Sequence, residues 1–188
     1  MIVTLAGRRI DPQNAPVVRF PLEVSSTVRT HLQTLLKELG ATMLVSSAAC
    51  GADLLALEAA GELGLRRRVI LPFAPEKFRA ASVTDRPGDW GRLFDEIIAD
   101  VRRTGDLVLI EDEEKEDEEA FLSANRAILD EAQKLAPRRN SKIKTSQGRH
   151  ILAVIVWDGQ PRGELDLTLD FANEARARSI PVAEVLIQ

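Results

Sequence analysis

Apolar residues fall along this chain in two alternating patterns, and the alternation leaves few folds open. Short stretches of strand length run over Ile2–Ala6, Thr42–Val45, Arg68–Leu71, Leu107–Ile110, Ile151–Trp157 and Val182–Ile187. Helical periodicity lies between them. Val24, Val28, Leu32, Leu35, Leu36 and Leu39 share one helix face, which Gly40 ends, and Trp90, Leu93, Phe94, Ile97, Ile98 and Val101 share another. Leu54–Leu63 is rich in Ala and Leu and stops at Gly64; Pro75 opens a short helix through Ala80. Ala120–Ala136 is helical up to Pro137, and a last helix follows Gly163 as far as about Arg178. Ile151–Trp157 reads ILAVIVW, a continuous apolar run that implies burial on both faces of a sheet. Strand and helix in strict alternation predict an α/β fold: a Rossmann-like three-layer sandwich around a six-stranded, mainly parallel sheet. The expected strand order is 3-2-1-4-5-6 with right-handed crossovers. Residues 1–188 read as one domain.

Composition removes several classes of function. A single cysteine excludes an internal disulfide framework, and with only two histidines a structural zinc site is not expected. No apolar run approaches the roughly 18 residues of a membrane-spanning helix, and the N-terminal apolar run is too short for a secretory signal, so a cytoplasmic location is expected. The net charge of −4 conceals two opposed segments. Residues 111–119, EDEEKEDEE, hold eight acids and one lysine; residues 137–150, PRRNSKIKTSQGRH, hold five basic residues and no acid. Both read as solvated surface. Clustered carboxylates are able to hold Mg²⁺, yet a self-repelling loop is the better reading of 111–119, and no metal or other cofactor is expected. The basic segment contains no aromatic residue on which bases would stack, so nucleic acid is not an expected partner.

In a sheet of this kind ligands bind beyond the carboxyl ends of the strands, which selects four turns. The first is Gly7-Arg8-Arg9, whose guanidinium groups suit phosphate oxygens. The second, Ser46-Ser47-Ala48-Ala49-Cys50-Gly51-Ala52-Asp53, offers small residues, two hydroxyls and a helix start at Gly51. Amides and macrodipole there favour an anion; the same residues equally describe a tight strand-to-helix turn capped by serine. Neither a Walker A lysine nor a GxGxxG spacing is present. Asp53 either complements the helix dipole or holds a ribose hydroxyl. The third turn leads from the acidic run to Asn125, placed at a helix opening where it reaches a base or sugar. The fourth runs from Asp158 and Gly159 to Gly163. Arg79 and Ser82 are expected on the surface. Cys50 reads as a small residue filling its turn rather than as a nucleophile, since no histidine lies in that segment.

The run SSAACGADLLALEAA resembles the SGxAxGID…A…A signature of the SLOG superfamily, which gathers LOG-type phosphoribohydrolases, the DNA-processing protein DprA and many ligand-sensor domains. Ser46, Ala49, Gly51, Asp53, Ala56 and Ala60 match it position by position, while Ser47 replaces a glycine and Leu57 stands where DprA-type members carry histidine. GRRIDP, RFP at 19–21, VILPF at 69–73, FRAASV at 78–83 and LAVIVWDG extend the likeness over nearly the whole chain, toward domains found beside bacterial nucleotide cyclases and repeat-containing signalling proteins.

The resemblance implies a Rossmannoid pocket for a nucleotide or nucleotide-derived small molecule. The expected ligand-binding residues are Gly7, Arg8, Arg9, Ser46, Ser47, Gly51, Asp53, Asn125, Asp158, Gly159 and Gly163. Enzymatic members cleave the N-glycosidic bond of nucleoside monophosphates with a PGGxGTxxE motif. The corresponding turn here, DGQPRGELD, lacks the threonine and alters the spacing, leaving Asp166 as the one candidate for the catalytic carboxylate. Binding or sensing is therefore the leading expectation. A nucleoside-monophosphate N-glycosidase and a protein-interaction module, a homodimer among its forms, stand beside it.

Overall fold

In a computed structural model, residues 1–110, 117–137, 150–163 and 165–187 are described. The strands are β1 (Ile2–Gly7), β2 (Met43–Ser46), β3 (Arg66–Leu71), β4 (Leu107–Leu109), β5 (Ile151–Trp157) and β6 (Val182–Leu186). The helices are α1 (Ser25–Glu38), α2 (Ala52–Glu62), α3 (Pro75–Ser82), α4 (Trp90–Arg103), α5 (Asp117–Leu135) and α6 (Leu167–Ala177). A short 3-10 turn, Leu22–Val24, leads into α1, so Val24 sits just ahead of the helix whose periodicity it shares. All five strand pairings are parallel, and the order is β4-β3-β2-β1-β5-β6.

The α/β class and the parallel sheet are as expected, whereas the order 3-2-1-4-5-6 is corrected: the fourth strand lies outside the third, and the fifth takes the place beside the first. Two helices account for this. The amphipathic α4 buries Trp90, Phe94, Ile97, Ile98 and Val101 in the core cluster that also holds Leu54 and Leu57 of α2. With α4 and α2 on the same face, β4 continues outward past β3. The 19-residue α5, roughly 28 Å long at 1.5 Å per residue, then returns across the opposite face, touching β3, β2 and β1. It delivers β5 beside β1. The chain thus reverses direction between β1 and β5.

Period-two alternation divides the core. Val3, Leu5, Leu44, Val69, Leu71, Val154 and Val156 face α1, α2 and α4, whereas Ile2, Ala6, Val45, Ile70, Ala153, Ile155 and Trp157 face α5 and α6. Residues 153–157 are all buried, as the two-sided apolar run requires. Among the described residues no helix is long and apolar enough to cross a membrane. The acidic residues 111–116 and the basic residues 138–149, including any Mg²⁺ reading of the former, lie outside the described residues; 117–119 belong to the first turn of α5.

The start of α2 lies hard against the end of β1. A Cβ on Gly7 would stand 2.4 Å from Cβ of Ala52 and 2.8 Å from Cβ of Val156. Gly7→Ala therefore pushes α2 off the sheet, at about 1–3 kcal/mol, and thermal denaturation should show a fall in Tm of roughly 2–12 °C. An unchanged Tm would mean that α2 is free to shift.

Candidate functional site

Beyond the carboxyl end of β1, where the direction of winding reverses, lies a cavity of about 230 Å³. Leu5, Ala6 and Gly7 form its base. Ser47, Ala49 and Asp53 enter from the β2–α2 turn, Phe78 and Ser82 from α3, and Phe121, Ala124, Asn125 and Ile128 from α5. Arg162, Asp166 and Thr168 close it from the start of α6. Seven of the residues expected from the sequence meet here: Gly7, Arg8, Arg9, Ser47, Asp53, Asn125 and Asp166.

The β2–α2 turn owes its glycine to a backbone crossing. Gly51 adopts φ +100°, and a Cβ there would lie 2.8 Å from both the Arg8 carbonyl oxygen and the Ile10 nitrogen. The chain leaving β1 passes over the turn, pairing Arg9 with Gly51 in an isolated antiparallel bridge, and Ala52 N–H donates to the Arg8 carbonyl. Close packing thus accounts for Gly51, which is not among the lining residues. Ser46 is fully buried, and its hydroxyl donates to the Ser47 carbonyl at 2.8 Å. Cys50 is buried too; its burial pushes the thiol up against the pull of Arg9, which agrees with a filling role.

Arg8 lines the cavity, but its guanidinium is engaged within the chain. Its Nη1 and Nη2 donate to the two oxygens of Asp166 at 2.6 and 2.8 Å, its Nε to Asp158 at 3.1 Å and its Nη2 also to the Gln160 carbonyl at 2.6 Å. Arg19 holds the other oxygen of Asp158 at 2.6 Å. Asp166 is also the N-cap of α6, accepting from the amides of Thr168 and Leu169 and from that of Arg162. Burial raises the Asp166 carboxyl, but Arg8 and these amides hold it below the usual carboxylate range; Arg8 and Arg19 do the same for Asp158. The candidate catalytic carboxylate therefore has both oxygens occupied. Gly159 and Gly163 lie in the turn that this knot closes, outside the lining.

Asp53 is in a different condition. It is 7% exposed, and its Oδ2 accepts the Ala49 amide at 3.2 Å. Its Oδ1 is buried and has no hydrogen-bond partner among the described residues. Burial pushes the carboxyl up to about 7, against the Ala49 amide and the charge of Arg9. Arg9 is paired with Asp85 and keeps a buried Nε–H without a partner. Among the described residues Arg162 makes an ion pair with Asp11, at 3.8 Å, and burial together with Arg8 and Arg19 lowers its pKa. Asn125 lies two turns inside α5 rather than at its opening; its amide donates to the Leu167 carbonyl at 2.8 Å, joining α5 to the start of α6. Arg79 is on the surface, as expected, and pairs with Asp95, whereas Ser82 is buried at the cavity wall.

Phe78, Phe121, Arg162 and Thr168 were not anticipated as site residues. The two phenylalanines sit edge-on with centroids 6.3 Å apart. No sequence signal separates an inward residue over the core from one over a cleft.

No protein-family model matches the chain, and no curated protein matches it. Among solved structures, a co-structure of MnaA from S. aureus with UDP is similar over 98% of this chain and 68% of that chain, with 11% identity and a TM-score of 0.38.

Proposed function

We propose that the cavity binds a nucleotide or nucleotide-derived small molecule, in keeping with the SLOG-like signature of the β2–α2 turn. The observation that carries this reading is Asp53, a buried carboxylate with one oxygen unpartnered among the described residues, in the wall of a cavity at the reversal between β1 and β5. Around it the cavity divides by chemistry. Phe78, Phe121 and Ile128 form an apolar side fit for a base. Ser47, Asp53 and Asn125 offer hydrogen bonds, and Arg9 and Arg162 supply positive charge for a phosphate. Binding rather than N-glycosidic cleavage is favoured because Asp166 would have to leave Arg8 and the α6 amides before acting on a ribose.

Isothermal titration with the four ribonucleoside monophosphates and diphosphates tests the proposal. At least one should bind, and Ser47→Trp, which fills the cavity from a partly exposed position, should weaken it more than tenfold without lowering Tm. Absence of heat from every nucleotide overturns the reading, as does full affinity in a folded Ser47→Trp variant.

A further inference from the structure

Asp53 is poorly placed for a purely structural carboxylate. A buried anion is tolerated when its lone pairs are met by donors, and leaving one unmet costs free energy. Here Oδ2 has the Ala49 amide and Oδ1 has no partner among the described residues. The side chain cannot turn to solvent, being 7% exposed in the first turn of α2 with Ala52, Leu54 and Leu55 buried around it. Arg9, the nearest positive influence, is held by Asp85 instead of pairing directly with Asp53. Asp53 lines the cavity, so a donor brought by a bound molecule meets the carboxylate from that side.

The surroundings define that donor. Arg9 is already paired with Asp85, and Ser47, on the same turn as Asp53 and in the cavity wall, is uncharged, which suits a neutral donor. The residues beside Asp53 on its own turn are small, Ser47 and Ala49, and Ser47 brings a hydroxyl, while the aromatic surface lies on α3 and α5. A planar base suits the phenylalanines and a puckered, hydroxyl-bearing ring suits the turn.

We infer that the Asp53 carboxylate accepts a hydrogen bond from a sugar hydroxyl of the bound nucleotide, so that the cavity selects ribonucleotides over their deoxy counterparts. This rests on the nucleotide reading above. A deoxy ligand leaves the buried oxygen unmet, whereas a ribose satisfies it with a charge-assisted bond.

The test is a titration of the wild-type protein with ribonucleoside monophosphates and with their 2′-deoxy and 3′-deoxy analogues, repeated on Asp53→Asn. One deoxy series should bind about ten- to a hundred-fold more weakly than the ribo series, the span expected for one hydrogen bond to a charged group. In Asp53→Asn the ratio should collapse toward one. Equal wild-type affinity for ribo and both deoxy series overturns this inference alone, and so does a ratio that survives in Asp53→Asn. Absence of binding by all three series overturns the nucleotide reading and this inference with it.

Discussion

Arg8→Leu is expected to lower stability by about 3–5 kcal/mol, the cost of removing one partner from a buried ion pair, seen as a drop in Tm of roughly 10 °C. The leucine is close to the volume of the arginine stem, so the penalty comes from charge. Asp166, with a side chain 2% exposed, loses its guanidinium, and Asp158, 14% exposed, keeps only Arg19. Adding Asp166→Asn should recover part of the loss, because an amide needs no counter-charge and still accepts the α6 amides. The pH dependence follows from the same groups. Asp158 and Asp166 titrate below the ordinary range in the folded protein, so their contribution is present above the usual carboxylate range and disappears as pH falls through their depressed values. The gap between wild type and Arg8→Leu should therefore be widest near neutrality and shrink below about pH 4. A Tm within 2 °C of wild type at pH 7 would show that the knot around the β5–α6 turn does not hold that turn in place.

Asp53→Asn should do the reverse and stabilise the protein above pH 7. The folded carboxyl stands at about 7 against an ordinary 3.8. Because the folded value is the higher one, the folded state prefers the protonated group; this preference is intact below about pH 4 and is lost as pH rises through 7. At 1.36 kcal/mol per pH unit, ionised Asp53 costs on the order of 4 kcal/mol. The amide that replaces it buries an N–H without an acceptor, which offsets about 1–3 kcal/mol. A net gain of about 2 kcal/mol at pH 8 remains, or roughly 4–8 °C in Tm, closing as pH is lowered toward 4. Together with the loss of ribose selectivity, a variant that folds better and binds worse would mark Asp53 as a group kept for its ligand at a cost to stability. A lower Tm at pH 8 would instead make it a structural cap of its own turn.

Much of the architecture was legible because burial writes a period into the chain. The two-sided apolar run at 151–157 could only be a covered strand, and the 3.6-residue faces of α1 and α4 could only be helices against a sheet. The order of strands was not legible, since the pattern of α4 marks a buried face without saying which helix it meets. Packing against α2 sent β4 outward, and the return of α5 across the far face moved the reversal point from strands 1 and 4 to strands 1 and 5.

The site divides along the same line. That residues 46–53 make a crowded turn at a ligand-facing edge follows from their small side chains and from Gly51. Whether each charged group in that region is free or already engaged depends on partners far away in the chain. Arg8 looked like a phosphate ligand, yet it is tied to Asp158 and Asp166, about 150 positions further on. Asp53 read equally as a partner of the helix dipole and as a ribose ligand, and it is a buried carboxylate left with an oxygen unmet among the described residues. Residue type and local spacing dictate what a side chain is able to bond with. Only the assembled fold, which brings distant chain segments within 3 Å and removes water from some groups and not others, leaves Arg8 fully engaged and Asp53 with an oxygen unpartnered among the described residues.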